Sequence, residues 1–156
     1  MLIQIGDYAP DLELPDSDGN IVTLKELKGR WVVLYFYPKD MTSGCTIEAL
    51  DITFEKAGFD AEGAVVLGVS ADSQESHLKF SEKNHLKHTL LSDTEKQTLE
   101  AYSVWQTKKL YGREFKGIVR TTFLIDPKGF IIYIWPKVKV KGHAQEVLNK
   151  IKELKK

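Results

Sequence analysis

One thiol stands in the whole chain, Cys45, and it closes the run Pro38-Lys39-Asp40-Met41-Thr42-Ser43-Gly44-Cys45. The run follows an apolar, strand-like stretch, Trp31 to Tyr37, and precedes a helix-like stretch from Thr46 onward. A thiol so placed sits at the carboxyl end of a strand and in the first turn of a helix. Ligands of open α/β sheets collect at that end, and oriented N–H groups and the helix dipole there favour thiolate over thiol. A lone cysteine is by default a small buried hydrophobe. The strand-to-helix context turns the expectation toward a nucleophile.

Thiolate formation alone is a small lever. Lowering a cysteine pKa from ~8.5 to ~6 raises the thiolate fraction at neutral pH roughly thirtyfold. The same shift weakens each thiolate about tenfold at a Brønsted slope near ~0.45, leaving a net gain of about threefold. A fast thiol enzyme therefore needs donors aimed at the bond that breaks.

The elements that must hold Cys45 are legible from pattern. Leu12–Leu14 and Ile21–Leu24 flank the turn-rich Asp16-Ser17-Asp18-Gly19-Asn20, an N-terminal β-hairpin over 12–24. Trp31–Tyr37 reads as a central strand covered on both faces. Ile47, Leu50, Phe54 and Ala57 recur at helical spacing, which makes Leu50 a core residue, and Gly58 offers a stop. Ala64–Ser70 is a second buried strand, followed by a helix from Asp72 or Ser73 to Asn84 and a short strand, Thr89–Leu91. Ser92-Asp93-Thr94-Glu95 matches a capping box, predicting a helix to about Tyr102. Gln106–Gly117 reads as a loop or small irregular hairpin. Val119–Ile125 and Phe130–Trp135 form a hairpin about Asp126-Pro127-Lys128-Gly129, and Ala144, Val147, Leu148, Ile151 and Leu154 mark a last helix. The order predicts an α/β fold with a central mixed β-sheet flanked by helices, in one domain over 1–156.

Composition narrows the function. The 22 basic and 22 acidic residues cancel, so neither nucleic acid nor an anionic membrane is an expected partner. A single cysteine allows no internal disulfide, which fits a reducing, cytoplasmic setting. The N-terminal Met-Leu-Ile-Gln-Ile-Gly-Asp shows no signal-peptide pattern, and the apolar runs are too short to span a membrane. His85 and His88 stand three apart, but no further ligand has recognisable spacing, so a surface pair and no metal site is expected. No papain-like signature accompanies Cys45. Lys137, Lys139 and Lys141 read as a solvent face, and Trp105 and Tyr111 either as lining of the approach to Cys45 or as packing.

The run Tyr35–Ala49 resembles a peroxiredoxin active site, with the family's Pro-x-x-x-Thr/Ser-x-x-Cys filled by Pro38, Thr42 and Cys45. Tyr102–Trp105, Tyr111-Gly112, Gly117–Asp126 and Val138–Ala144 are also similar to the bacterioferritin comigratory protein (PrxQ) subfamily, in the same order, across nearly the whole chain. The resemblance implies a thioredoxin-like fold and a peroxidase without metal, haem or flavin. Hydrogen peroxide and alkyl hydroperoxides would be reduced through a Cys45 sulfenic acid. It implies that the Thr42 hydroxyl accepts from the peroxide and donates toward the sulfur. Pro38 walls off water, Arg120 holds thiolate and oxyanion, and Glu48 orients Arg120, with the Gly44 and Cys45 N–H groups as further donors.

Two positions depart from the pattern. Ser43 stands where the subfamily has proline, and Leu50 stands where many relatives have a resolving cysteine. The expectation is therefore a one-cysteine enzyme, re-reduced by thioredoxin, glutaredoxin or glutathione and monomeric in preference to dimeric. The alternative is a non-enzymatic thioredoxin-fold sensor or holdase-like module acting through mixed disulfides. Thr42 and Arg120 favour the enzyme, because a sensor needs only an exposed thiolate.

Overall fold

The computed structural model describes residues 3–156; Met1 and Leu2, from the N-terminal stretch read above for a signal, lie outside the described residues. Strands β1 (Glu13–Pro15) and β2 (Ile21–Thr23) pair antiparallel as the expected hairpin. β3 (Trp31–Phe36) leads to helices α1 (Ser43–Phe54) and α2 (Lys56–Ala61), then β4 (Ala64–Ser70), α3 (Gln74–Asn84) and β5 (Thr89–Ser92). After α4 (Gln97–Ala101) come β6 (Trp105–Leu110), β7 (Arg113–Ile118), β8 (Thr121–Ile125), β9 (Ile131–Trp135) and α5 (His143–Leu154).

The main sheet has the order β5-β4-β3-β8-β9, with β4 parallel and β8 antiparallel to β3, so the sheet is mixed and β3 lies at its centre. Period-2 alternation sends Val32, Leu34 and Phe36 into one core layer with Leu67, Leu99 and Phe123. Val33 and Tyr35 enter the other, with Ala49, Phe59, Phe80 and Leu148 from the helices. Both faces are covered, which is why the strand reads as an unbroken apolar run. Among the described residues no helix is long and apolar enough to cross a membrane.

The details depart from pattern reading in four places. Gly58 lies inside α2, where an added Cβ would stand 2.6 Å from Leu148 Cδ2; the glycine lets α5 approach rather than stopping a helix. Ser92 ends β5 and its hydroxyl has no partner, so the capping box does not form. The chain turns through Lys96, at φ 67°, before α4 begins, and Asp93 Oδ2 takes the Leu99 N–H at 2.8 Å instead. Residues 105–118 form a regular hairpin in full register, turning at Tyr111 and Gly112. Finally, α1 buries Cys45, Glu48, Ala49 and Ile52, while Ile47, Leu50 and Phe54 face solvent, as does Ala57 of α2. Leu50 is 41% exposed and is not core. A helix that turns Cys45 and Glu48 inward must present positions 47, 50 and 54 outward, whatever their polarity.

Tyr35 lies across Gly68 of the neighbouring strand: a Cβ there would meet the ring Cζ and hydroxyl at 2.7 Å. Gly68→Ala should therefore cost about 2 kcal/mol through forced repacking, read as a lowered urea midpoint at unchanged slope. A loss below ~0.5 kcal/mol would mean that the ring slides aside freely.

Candidate active site

Cys45 is 1% exposed, in the first turn of α1. Thr42 is the N-cap residue and Ser43 the first helical position, so replacing proline with serine leaves the helix start intact. The N–H groups of Ser43, Gly44 and Cys45 precede the first intrahelical bond, from Thr46 N to Thr42 O at 2.9 Å.

Sheet register supplies the cation. Because β8 runs antiparallel to β3, with Phe36 opposite Thr121, the start of β8 abuts the end of β3. Arg120, one residue ahead of β8, therefore stands over the loop that carries Cys45. Its Nη2 donates to Cys45 Sγ at 3.3 Å and its Nη1 to Glu48 Oε1 at 2.6 Å. Gly44 makes room for this fork: a Cβ there would lie 3.2 Å from Nη2. Cys45 and Glu48 are three apart on α1, so one guanidinium spans both.

The ion pair is asymmetric. Glu48 is 2% exposed and Arg120 17%. Burial lifts the Glu48 carboxyl to about 7, against the opposing pull of the Arg120 charge and hydrogen bond and with a smaller push from Asp51. Its second oxygen, Oε2, is buried without a partner. For Arg120, burial works against the charge, but Glu48 and Cys45 outweigh it and hold the pKa above its ordinary value. The partner closer to solvent keeps its charge securely, and the deeper one carries the desolvation cost.

Thr42 departs from expectation in one respect. Its hydroxyl donates to Lys39 O at 2.8 Å rather than to the sulfur, which leaves its lone pairs as acceptors. Pro38 is half buried in the turn out of β3 and contributes no N–H. Tyr111 is 94% exposed at its hairpin tip, and half-buried Trp105 lies beneath the Lys96 ammonium. Lys137, Lys139 and Lys141 are exposed, in the loop beyond β9.

His85 and His88 are not a helix-face pair. His85 caps α3 in the left-handed region, and His88 turns inward to Tyr35. Burial, aided by Lys56, drives His88 down to about 3, so its ring is neutral. Its Nε2 lies 2.7 Å from the Tyr35 hydroxyl, and Nδ1 faces Thr53 Oγ1 at 3.4 Å.

Sequence reading missed Asp40 and His77. Asp40, inside the Cys45 loop, is 4% exposed, and His77 of α3 is 0%. His77 Nδ1 lies 2.7 Å from Asp40 Oδ2, and the Tyr37 hydroxyl donates to Asp40 Oδ1 at 2.6 Å. His77 shares the buried face of α3 with Phe80, three positions on, but a histidine does not count as apolar in a hydrophobic pattern, and its partner is 37 residues away.

Residues 5–134 match the AhpC/TSA family model. Peroxiredoxin Bcp of Bacillus subtilis is 51% identical over 99% of this chain and 98% of its own, and peroxiredoxin Bcp of Escherichia coli is 41% identical over 97% of each. Among solved structures, the bacterioferritin comigratory protein of Xanthomonas campestris, studied for alkyl peroxide reduction, superposes with a TM-score of 0.91 at 42% identity, covering 99% of this chain and 98% of that one. A cysteine-to-serine mutant of PrxQ from Xylella fastidiosa superposes with a TM-score of 0.95 at 39% identity, covering 100% of this chain and 99% of that one.

The raised Glu48 carboxyl has a consequence for stability. An unfolded chain releases this proton near 4.5, whereas the folded one keeps it to about 7. Stability from this group is full below 4.5 and is lost as pH rises through 7, by up to about 3 kcal/mol. Glu48→Gln lacks that proton, so urea unfolding at pH 5 and pH 8 should show the variant gaining on wild type at the higher pH. A gap between the two that does not move with pH would mean that Glu48 titrates as an ordinary carboxyl.

Proposed function

The chain belongs to the AhpC/TSA family, and we propose that within it Cys45 is the peroxidatic residue of a one-cysteine enzyme. The protein is a thiol-dependent peroxidase, a peroxiredoxin of the Bcp type. Its membership decides for the enzyme over the non-enzymatic sensor or holdase alternative. The observation that carries the assignment of residues is the Arg120 fork, with Nη2 on Cys45 Sγ and Nη1 on Glu48.

In this reading the Cys45 thiolate attacks the nearer peroxide oxygen. An S–O bond forms, the O–O bond breaks, and the leaving oxygen takes a proton to depart as water or alcohol. Cys45 is oxidised to the sulfenic acid and the peroxide is reduced. Thr42, its own proton engaged on Lys39 O, accepts the peroxide O–H and orients the substrate. The Arg120 Nη2 edge, together with the free N–H groups of Gly44 and Cys45, stabilises the charge that builds on the oxygens. Glu48 sets the plane of the guanidinium, and Pro38 keeps a competing donor off the sulfur.

Hydrogen peroxide and alkyl hydroperoxides are the proposed substrates, the second by likeness to the Xanthomonas campestris protein studied for alkyl peroxide reduction. Cys45 is the chain's one thiol, so reduction falls to an external one. That thiol attacks the sulfenic sulfur and expels water, and a second thiol cleaves the mixed disulfide. Thioredoxin, glutaredoxin or glutathione would serve. We assign the working form as a monomer built from the whole chain, 1–156, in a reducing, cytoplasmic setting. With Cys45 at 1% exposure, a Cys45–Cys45 bridge would require α1 to unwind locally.

Arg120→Lys separates chemistry from folding. Lysine keeps the charge and loses the planar fork. The rate of Cys45 oxidation by hydrogen peroxide should fall about a hundredfold, the weight of one oxyanion donor, with a much smaller change in melting temperature. Equal oxidation rates would remove Arg120 from the mechanism. In wild type, excess peroxide without reductant should yield monomer carrying sulfenic and then sulfinic mass, read by intact-mass spectrometry. Rapid conversion to a disulfide-linked dimer would overturn the monomeric one-cysteine scheme.

A further inference from the structure

The loop that carries Thr42 has almost nothing apolar to hold it. Between Pro38 and Gly44 the one buried side chain is Asp40; Lys39, Met41, Thr42 and Ser43 are exposed, and Pro38 and Gly44 are half buried. Yet the loop is tightly formed. Met41 takes φ 66°, a left-handed conformation that costs a non-glycine residue about 1–2 kcal/mol and persists only where the surroundings enforce it. Thr42 closes back on Lys39 O at 2.8 Å.

Asp40 supplies the enforcement. Its main-chain N–H donates to Asp72 Oδ2 at 2.8 Å, and Asp72 is itself fixed by the Ser70 hydroxyl at 2.6 Å. Its Oδ1 receives the Tyr37 hydroxyl at 2.6 Å. Its Oδ2 receives the Ser76 hydroxyl at 2.8 Å and meets His77 Nδ1 at 2.7 Å. On the far side of the ring, His77 Nε2 lies 2.9 Å from Leu91 O, an acceptor only, so that nitrogen carries a proton and donates. The ring is therefore clamped between β5 and the loop. Three of these residues, Asp40, Asp72 and His77, cluster closely enough to suggest a cation site. Their polar atoms are turned onto one another and onto neighbouring donors, and no ligand is needed to satisfy them.

We propose that Asp40, clamped by His77, Ser76 and Tyr37, is a positioning residue for peroxide: it fixes the strained turn at Met41 and thereby the direction in which the Thr42 lone pairs are presented. The inference rests on the reading of Thr42 given above. It assigns to α3, which supplies no group to the Arg120 fork, a part in substrate orientation. The buried polar cluster is specific where an apolar plug would not be. Directional bonds to both carboxylate oxygens and to the main-chain N–H define the orientation of the peptide plane, whereas apolar contacts leave rotation open.

The test uses two electrophiles on the full-length protein. Peroxide needs Thr42; alkylation by iodoacetamide needs the Cys45 thiolate and not the Thr42 hydroxyl. Ser76→Ala and Tyr37→Phe each remove one bond to Asp40 and leave the fold's apolar volume almost unchanged, so both remain measurable if Asp40→Ala does not fold. Each should slow Cys45 oxidation by hydrogen peroxide roughly tenfold, the equivalent of one hydrogen bond, with no fall in alkylation rate. In a Thr42→Val background, Ser76→Ala should slow oxidation no further. Parallel losses on both electrophiles, an unchanged peroxide rate, or additivity with Thr42→Val would each overturn the anchor while leaving the Thr42 reading intact. Thr42→Val that by itself leaves the peroxide rate unchanged would remove Thr42 from the mechanism and the anchor's purpose with it.

Discussion

The guanidinium of Arg120 is the point on which the rest of the site depends. It reaches two side chains of one helix turn, Cys45 Sγ at 3.3 Å and Glu48 Oε1 at 2.6 Å, and it passes close over Gly44, where an added Cβ would lie 3.2 Å from Nη2 and force a small shift. The same contact fixes the rotation of α1 about its axis. Once Cys45 and Glu48 face Arg120, helical periodicity assigns every other position of the helix to core or solvent. Ala49 and Ile52 go in, and Ile47, Leu50 and Phe54 go out. An apolar stripe on the solvent face is thus a consequence of the chemistry on the buried face. Leu50 lies on that outer stripe.

Two kinds of support hold the fork in place. The sheet supplies the coarse alignment: β3 at the centre delivers the loop, and antiparallel β8 delivers Arg120 to the same end. Burial then sharpens the electrostatics. Glu48 is deep enough that desolvation lifts its carboxyl to about 7 even with Arg120 attached, and its Oε2 is left without a partner. Such a cost is usual where orientation of a functional group, rather than stability, is what a buried ion pair supplies. The loop itself is held by polar contacts through Asp40, so apolar packing and directional hydrogen bonding divide the work between helix and loop.

Much of the fold was legible in the sequence because its signals are local. Trp31–Tyr37 and Ala64–Ser70 are unbroken apolar runs, Asp126–Gly129 is a turn by composition, and the α5 stripe has helical period; each matches the structure to within a residue or two. The failures share a cause. Ser92–Glu95 has capping-box composition, but Ser92 belongs to β5 and Asp93 does the capping from farther off. The α1 stripe has core composition, but its orientation is set by a residue 75 positions from Cys45. Gly58 has stop-signal composition, but it answers to Leu148 of α5.

The site divides along the same line. Sequence by itself singled out Cys45 as the candidate nucleophile, with its loop, since Pro38, Thr42, Gly44 and Cys45 lie within a few residues at the mouth of a strand and the start of a helix. Through resemblance it also named Arg120 and Glu48. Only the tertiary structure decided which way the Thr42 hydroxyl points, that Glu48 is nearly inaccessible while Arg120 is not, and that His77 of α3 and Asp40 in a polar loop are buried against each other. Backbone propensity and hydrophobic period act over one or two turns, and a sequence states them directly. Hydrogen-bond partners and desolvation depend on chain segments 37 and 75 residues apart, and only the register of β3 against β8 and the packing of α3 bring those together.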